Sequence, residues 1–206
     1  MAAKYLKNKK ADEQLPPIKS LMLYLHDLVY VLAVVMILFL LLFRIMIVSG
    51  SSMYATLLDG DWILVASSVL YHDPQPGDII VASKESFNDG EPIVKRVIAT
   101  EGQTVDIDFE TGIVYVDGVA LQEDYTYTPT NIQEGNAFPI TIAQGCIFVL
   151  GDNRNGSKDS RHPDIGMIDT RQVLGKAVFL LFPGSDGDRG AAHRAFDRIG
   201  VINHGR

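Results

Sequence analysis

The sequence predicts a mainly β domain of antiparallel sheets, preceded by a single N-terminal transmembrane helix. One uninterrupted apolar run, residues 28–43, lies near the N-terminus. Beyond it, short segments rich in Val, Ile and aromatic residues alternate with turn-forming residues, which is the pattern of strands separated by turns. The chain has 206 residues, so the part after the apolar run is large enough for one compact domain with its own core.

The apolar run predicts a membrane anchor over residues 28–48. Extending it past Arg44 gives close to the roughly 20 residues that a spanning helix needs, and the long Arg44 side chain can reach the headgroups. Five lysines precede the run and place residues 1–27 in the cytoplasm by the positive-inside tendency: Lys4, Lys7, Lys9, Lys10 and Lys19. Residues 49–206 then lie outside the cytoplasm, after one crossing of the cell membrane.

Two other interpretations of the apolar run are weaker. Val48 and Gly50 are small enough to resemble the cleavage site of a secretion signal, but the apolar region is longer than such signals carry. A cut there would also separate the anchor from the residues that carry the chemistry described below. A buried helix of a soluble protein is favoured less still.

Seven segments after the anchor are predicted strands because β-branched and aromatic residues dominate them: residues 62–66, 79–82, 93–99, 105–109, 113–116, 146–150 and 173–182. Hairpin turns are expected at residues 110–112 and at Asp117-Gly118, since glycine supplies the positive φ that these turns need. Residues 123–142 lack clear periodicity and are predicted to be a surface insertion. Residues 185–206 are rich in Gly, Asp and Arg and are predicted to be a loosely held tail. Neither segment looks catalytic.

Charge and residue usage argue against several classes of function. Residues 49–206 carry twelve Lys and Arg against twenty-two Asp and Glu, so their surface repels phosphate backbones and nucleic-acid binding is not expected. The five histidines lack metal-ligand spacing, and we expect no metal and no other cofactor. The lone cysteine, Cys146, excludes an internal disulfide, and its apolar setting predicts a buried thiol.

Two residues suggest a hydrolase that uses a Ser-Lys pair. Ser52 lies in a Gly/Ser turn after the apolar run, and Lys95 lies in a predicted strand beside Val94 and Val97. Serine is a weak nucleophile without a base, and a lysine can serve only if apolar surroundings lower its pKa toward neutrality. Taken alone, each is more often an ordinary loop or surface residue. The polar loop at residues 151–161 strengthens the hypothesis, because it directly follows a predicted strand, where functional sites concentrate.

Four sequence blocks, in order, resemble those of the bacterial type I signal peptidases. They are Ser52-Met53, the Gly-Asp strand at residues 76–81, the Lys-Arg strand at residues 95–98 and the Gly-Asp-Asn-Arg loop at residues 151–161. The match runs from the apolar segment to about residue 182 and is closest to the small form found in Gram-positive bacteria. The resemblance implies a signal-peptidase-like β domain and a membrane-bound serine endopeptidase. Such an enzyme removes N-terminal signal peptides from exported preproteins, cutting after small residues, so preproteins and the lipid bilayer are the expected partners.

The resemblance also implies roles for individual residues. Ser52 is expected to be the nucleophile and neutral Lys95 the general base, while Ser157 hydrogen-bonds the lysine amine and directs it toward Ser52. The backbone N–H of Ser52 is the expected oxyanion donor. The second donor stays open between Ser51, Ser49 and water, because Gly50 stands where some relatives carry a serine.

The charged residues around the loop are expected to hold it in place. Opposite charges so close in sequence more often pair with each other than react. We therefore predict ion pairs among Asp152, Arg154, Asp159 and Arg161, one of them with Arg96.

Four apolar residues are implied to line shallow pockets for small side chains: Val48, Met53, Ile63 and Val94. Each could equally belong to the core. Trp62 could face lipid headgroups, which tryptophan favours, or the core.

Two departures from the family pattern keep rival functions in view. Ala55 replaces a proline, and residues 99–103 replace a Gly-x-Pro-Gly-Asp turn, which loosens local turns without touching the chemistry. One rival is a self-cleaving Ser-Lys repressor, which should carry a DNA-binding module instead of a membrane span. The other is an inactive membrane-bound β module that scaffolds secreted proteins, against which intact Ser52, Lys95 and Ser157 argue. The sequence carries no signal for an oligomeric state.

Overall fold

A computed structural model describes residues 17–184 and 195–202. The chain divides into two compact units, Met1–Leu40 and Leu41–Arg206. Helix α1, Pro17–Leu42, accounts for the described part of the first unit. Proline suits the first helical position because its missing N–H has no intrahelical partner there, and no further proline or glycine interrupts the helix. Ile18–Leu42 is long and apolar enough to cross a membrane.

Helix α1 differs in extent from the predicted anchor at residues 28–48. It begins well before that segment and ends at Leu42, and the next five residues form strand β1, Phe43–Ile47. Hydropathy alone does not separate the two elements, because the strand is almost as apolar as the helix. Pairing with the next strand fixes the change, since Ile45 lies opposite Leu64 and Ile47 opposite Trp62. Arg44 is part of this strand, and four of the five N-terminal lysines lie outside the described residues.

The second unit is a β domain whose described residues form twelve strands. After β1 they are β2 (Trp62–Ser67), β3 (Ile79–Ala82), β4 (Ile93–Ala99), β5 (Thr104–Asp108), β6 (Ile113–Val116), β7 (Val119–Ala120), β8 (Ile140–Thr141), β9 (Cys146–Leu150), β10 (Ile168–Asp169), β11 (Val173–Phe182) and β12 (Gly200–Val201). Short 3-10 turns occupy Asn88–Gly90, Arg154–Gly156, Thr170–Gln172 and Phe196–Arg198.

All strand pairs are antiparallel. Seven strands follow one another in the order β1-β2-β11-β3-β4-β9-β10, and β12 joins them by pairing with β11; a second sheet has the order β7-β6-β5-β8. The predicted fold class, mainly β with antiparallel sheets after one apolar helix, is confirmed. At the β6–β7 hairpin Asp117 and Gly118 both have positive φ, 53° and 78°, as a two-residue hairpin turn requires.

Three clusters of buried apolar side chains form the core, and β3 lies between two of them. Ile79 and Val81 belong to the cluster shared with β2 and β11, whereas Ile80 and Ala82 belong to the cluster shared with β9. Both faces of this strand are therefore covered, as alternate side chains point to opposite faces. Each fully buried Ile or Val contributes roughly 1.5–3 kcal/mol. Cys146, predicted to be buried, is only partly buried at the edge of the third cluster.

The predicted surface insertion and the predicted loosely held tail each contain a strand that pairs with the rest of the domain. In the predicted insertion β8 pairs with β5, and in the predicted tail β12 pairs with β11. Arg198, next to β12, makes two hydrogen bonds to the fully buried carboxylate of Asp61, at 3.0 and 2.7 Å. A buried carboxylate needs such a partner, so this arginine belongs to the folded domain. Residues 185–194 and 203–206 of the predicted tail lie outside the described residues.

Candidate active site

Ser52 lies in a turn that follows β1, and hydrogen bonds hold the residues that precede it. The Val48 amide donates to the Asp61 carbonyl at 2.8 Å, and the Gly50 amide donates to the Asp59 carboxylate at 2.7 Å. Gly50 has φ 87°, a conformation that glycine adopts without the steric cost other residues meet. The turn therefore holds the half-buried Ser52 hydroxyl at a fixed position.

Lys95 reaches Ser52 from strand β4. Its Nζ lies 2.8 Å from Ser52 Oγ and also donates to the carbonyl of Val94 at 3.1 Å. Only 4% of the lysine is exposed to solvent. The structure thus brings a buried amine and a hydroxyl within hydrogen-bond distance across 43 residues of sequence.

Burial lowers the pKa of Lys95 to about 8 from its ordinary 10.5, because the charged ammonium loses its hydration in the protein. The negative charges of Asp159, Glu134 and Asp152 act in the opposite direction and raise this pKa, whereas Arg161 lowers it further. Desolvation is the largest effect, so a useful fraction of the amine is neutral near neutral pH. This is the state in which an amine can accept a proton.

The loop at residues 151–161 closes over the back of the dyad at Gly151. A Cβ placed on Gly151 would lie 2.2 Å from Ser157 Oγ and 2.5 Å from the Ser52 carbonyl oxygen. The Ser52 carbonyl also accepts a hydrogen bond from the Asn153 amide at 3.0 Å. Only a glycine at position 151 lets the loop approach Ser52 this closely.

Ser157 does not make the hydrogen bond that the resemblance implies. It is buried, but its hydroxyl donates to the carbonyl of Lys158 at 3.3 Å, and it is not among the described residues that accept from Lys95. Its Oγ instead lies against Gly151. A serine hydroxyl rotates about a single bond, so its partner depends on the local carbonyls as well as on the amine.

Three buried arginines hold the loop, each paired with a carboxylate. Arg96 donates to Asp152 at 2.8 and 2.7 Å, and Arg161 donates to Asp159 at 2.8 and 2.8 Å. Arg154 donates to Glu123 at 2.7 and 2.5 Å. All three arginines are at most 1% exposed, and breaking a pair of this kind would leave an uncompensated buried charge.

A cleft of about 350 Å³ opens beside the dyad. Ser49, Ser52 and Lys95 form its polar part, with Glu91 and Lys158 at its margin; its apolar walls are Met46, Ile47, Val48, Phe87, Ile93 and Val94. Val48 and Val94, two of the four predicted pocket residues, lie in these walls. Met53 and Ile63 do not; they are almost fully buried in the core cluster that includes Val48.

A comparison with protein families gives this site its context. The model of the family described as signal peptidase, peptidase S26, matches residues 21–182. The chain belongs to this signal peptidase family.

Similar members of the family include several signal peptidases. A probable signal peptidase I-1 from Synechocystis is 39% identical over 145 residues, which are 67% of this chain and 70% of that protein. A signal peptidase I from Bacillus amyloliquefaciens is 34% identical over 155 residues, 70% of this chain and 77% of that protein. A solved structure of a signal peptidase I from Enterococcus faecalis is 32% identical and covers 50% of this chain and 96% of that chain, with a TM-score of 0.41.

The expected oxyanion donor is the amide of Ser52, in the turn after β1. No described residue accepts a hydrogen bond from the Ser52 amide, whereas the Gly50 amide is engaged by Asp59. Of the alternatives for a second donor, Ser49 lines the cleft and Ser51 does not.

Among the described residues, no group of three His, Cys, Asp or Glu side chains could hold a metal ion.

Sequence reasoning missed Glu123 and Glu134 as parts of this signal peptidase site. Both lie in the predicted insertion, which showed no periodicity. The charge balance of the loop did contain a signal, because three arginines at positions 96, 154 and 161 face only two aspartates, at 152 and 159. A buried arginine without a partner is costly, so a third carboxylate from elsewhere in the chain was required.

Proposed function

We propose that this protein is a membrane-bound serine endopeptidase that removes N-terminal signal peptides from exported preproteins, with Ser52 as nucleophile and Lys95 as general base. One observation carries the assignment of roles: the almost fully buried Lys95 amine lies 2.8 Å from the Ser52 hydroxyl. Membership of the signal peptidase family supports the reaction and its substrate class. The reaction needs no metal or organic cofactor, because the two side chains supply both nucleophile and base.

In the first step, neutral Lys95 Nζ accepts the proton of Ser52 Oγ while that oxygen attacks the carbonyl carbon of the scissile peptide bond. The carbonyl oxygen becomes negatively charged, and the Ser52 N–H is placed to stabilise it. The carbon–nitrogen bond then breaks, and the proton held on Lys95 passes to the leaving amine. An ester between Ser52 and the signal peptide remains.

In the second step, water replaces the departed amine. Lys95 Nζ accepts a proton from the water as its oxygen attacks the ester carbon, and the proton returns to Ser52 Oγ when the ester bond breaks. The signal peptide leaves with a free carboxyl group. Buried Arg96–Asp152 and Arg161–Asp159 pairs support both steps indirectly by holding the loop behind the dyad.

The walls of the cleft support a preference for small side chains next to the cut. Val48 and Val94 line the cleft beside Ser52 and Lys95, together with neighbouring apolar residues. A large side chain would have to displace packed residues, which proteins resist. Met53 and Ile63 lie in the core cluster that includes Val48, so they support this wall from inside the domain.

The proposed topology places residues 1–16 in the cytoplasm, helix α1 across the cell membrane and the β domain outside. Lysines before the helix favour this orientation. An exposed apolar face on the β domain supports contact with lipid: Ile47, Trp62 and Phe182 lie side by side across β1, β2 and β11, and all three are exposed. Contiguous exposed apolar side chains are typical of membrane or protein contacts.

Anchoring also gives the reaction a geometric advantage. A preprotein arrives held in the bilayer by its own signal helix, so both reactants share one surface. Confinement of this kind raises their effective concentration and restricts the orientation of the cleavage region.

Cleavage of a signal-bearing preprotein by the purified full-length protein in lipid tests the proposal. The parent should release the mature protein, whereas Ser52→Ala and Lys95→Ala should each reduce the rate by several orders of magnitude, since members of a dyad act as a unit. Both variants keep the fold's apolar core and should unfold at temperatures near that of the parent or above. Equal cleavage by parent and variants would show that another group performs the chemistry.

A further inference from the structure

A segment of the predicted insertion is fastened along the whole active-site loop. This segment, residues 127–136, is called the strap here. Its backbone and side chains meet the loop at Tyr127 N–Asp152 O, 3.0 Å; Asn155 Nδ2–Pro129 O, 3.1 Å; Arg161 Nη1–Ile132 O, 2.8 Å; Asn136 N–Arg161 O, 3.0 Å; and Asn136 Nδ2–Ser160 O, 2.9 Å. The strap is therefore a fixed part of the site and not a free surface loop.

One strap residue, Glu134, points its carboxylate into the loop. Its Oε2 accepts a hydrogen bond from the Asp159 amide at 3.4 Å, and its Oε1 lies 4.0 Å from Arg161 Nη2. Glu134 has φ 59°, in the left-handed region that costs a non-glycine residue roughly 1–2 kcal/mol. Conformations of this kind persist where the surrounding structure fixes them, and they concentrate at functional sites.

Glu134 adds a second negative charge to an ion pair that is already complete. Arg161 makes both of its carboxylate hydrogen bonds to Asp159, so Asp159, Glu134 and Arg161 together carry one net negative charge when both carboxyls are ionised. Asp159 and Arg161 are fully buried and the Glu134 side chain is 13% exposed. Solvent therefore screens this excess charge weakly.

The excess charge lies close to the dyad. Asp159 Oδ2 accepts a hydrogen bond from the Gly151 amide at 3.0 Å, and Gly151 is the residue packed against the Ser52 carbonyl and Ser157. Glu134 thus connects through one residue, Asp159, to the backbone that borders Ser52.

We propose that Glu134 is a positioning residue for the dyad: its carboxylate fixes the loop at Asp159 and supplies a negative charge that sets how readily Lys95 gives up its proton. This inference rests on the proposed function, in which Lys95 must be neutral to accept the proton of Ser52. Without the opposing charge, the buried amine would give up its proton at a lower pH, so Glu134 sets the pH at which Lys95 becomes available as a base.

The charged groups around Lys95 agree with this role. Asp159 has the largest charge effect on the pKa of Lys95, Glu134 the next and Asp152 a smaller one, and all three raise it; Arg161 lowers it. Lys158 and Glu91 line the same cleft. Burial raises the pKa of Glu134 itself and the neighbouring Asp159 charge raises it further, whereas Arg161 and His162 lower it. Of the three carboxylates, Asp152 is paired with Arg96 and Asp159 with Arg161. The charge of Glu134 is therefore the excess negative charge of the group.

The test is the pH dependence of kcat/KM for preprotein cleavage by the full-length protein and by Glu134→Gln. Glutamine keeps an oxygen that can accept from the Asp159 amide but removes the charge. The midpoint of the acidic limb should move to lower pH, making the variant faster than the parent by roughly two- to tenfold on that limb. Glu134→Ala, which removes charge and acceptor together, should shift the midpoint in the same direction even if its maximal rate falls.

Glu110→Gln is the matched control, since it makes the same charge change on an exposed turn between β5 and β6 and should leave the midpoint in place. A purely structural role for Glu134 would lower the rate at all pH values without moving the midpoint, and that result overturns the inference. If the parent itself fails to cleave at any pH, the proposed function is wrong. If the parent cleaves and Glu134→Gln has the same pH profile as the parent, only the role of Glu134 is contradicted.

Discussion

Lys95 Nζ lies 2.8 Å from Ser52 Oγ, and the lysine that makes this contact is 4% exposed. The two residues come from different elements, strand β4 and the turn after β1, so the contact exists only in the folded domain. Burial changes the chemistry of the amine, because a cation that loses its water becomes easier to deprotonate. The burial of Lys95 therefore affects both the reactivity of the amine and the stability of the folded domain.

Activity should rise with pH through the titration of Lys95. Only the neutral amine can accept a proton, and burial lowers the pKa of Lys95 to about 8, so kcat/KM should be half-maximal near that pH and level off above it. At pH 7 roughly a tenth of the amine is neutral. Measurement of cleavage rates across the pH range, with folding followed by circular dichroism, checks this expectation.

Lys95→Arg is the control for that profile. A guanidinium stays protonated throughout the accessible pH range, so the variant should be inactive at every pH while keeping its positive charge. A flat profile in the parent, with the fold intact, would rule out Lys95 as the titrating base.

Lys95→Met should make the protein inactive and more stable. The pKa of Lys95 is 10.5 unfolded and about 8 folded, so below pH 8 the folded state bears a burial cost of about 3 kcal/mol. The unfolded state binds more protons between these values, and the cost disappears as pH rises from 8 to 10.5. Thermal unfolding should show the gain at pH 7 and none above 10.5. Equal stability of parent and variant at pH 7 would mean that the amine is not desolvated.

Much of the β domain and the dyad could be predicted because their signals are local. The Val- and Ile-rich runs gave seven strands with ends within a residue of those observed, as at Ile93–Ala99 and Val173–Phe182. Ser52 and Lys95 were predicted as a pair from their neighbours in sequence, and their side chains do lie 2.8 Å apart. Their contact needed the fold to bring β4 to the turn after β1.

The rest depends on contacts that sequence spacing does not encode. The end of α1 at Leu42 is set by pairing of β1 with β2, which an unbroken apolar run conceals. Glu123 and Glu134 lie in a segment without periodicity and acquire their roles only by meeting Arg154 and Arg161. Ser157 packs against Gly151 and bonds to its neighbour's carbonyl, where the family resemblance implied a bond to Lys95.

Trp62 should contact lipid when the protein is in vesicles. It is the single tryptophan of the chain, it is 45% exposed, and its neighbours across the sheet are Ile47 and Phe182. Tryptophan favours the interface between lipid and water. Brominated lipids should therefore quench its fluorescence. Acrylamide added to the water should quench it less when the protein is in vesicles than when the protein is in buffer without lipid or detergent.

A pair of valine substitutions tests which face of the domain meets the lipid. Val201→Glu puts a charge on β12 beside this apolar face and should weaken the quenching, whereas Val119→Glu puts one on β7 of the second sheet and should not. The two valines are exposed to a similar extent, 71% and 68%. Equal effects of both substitutions would argue against a lipid-facing surface at β1, β2 and β11.

Gly151→Ala should separate the loop from the nucleophile. Its Cβ would come within 2.2 Å of Ser157 Oγ and 2.5 Å of the Ser52 carbonyl oxygen, closer than non-bonded atoms approach, so the loop or the Ser52 turn has to move. A displacement of about 1 Å at a reacting group can lower the rate by a factor on the order of 10². We expect a loss of that size in kcat/KM, together with a stability loss of about 1–3 kcal/mol from overpacking.

Gly145→Ala provides the comparison for this effect. Gly145 has φ 71°, so alanine there costs roughly 1–2 kcal/mol in backbone conformation, but its Cβ would meet no atom within 4 Å. This variant should lose stability and keep the kcat/KM of its folded fraction, because it leaves Ser52 in place. If the two variants lose activity only in proportion to their stability, the contact at Gly151 does not position the nucleophile, and the loop holds Ser52 through the Asn153 hydrogen bond alone.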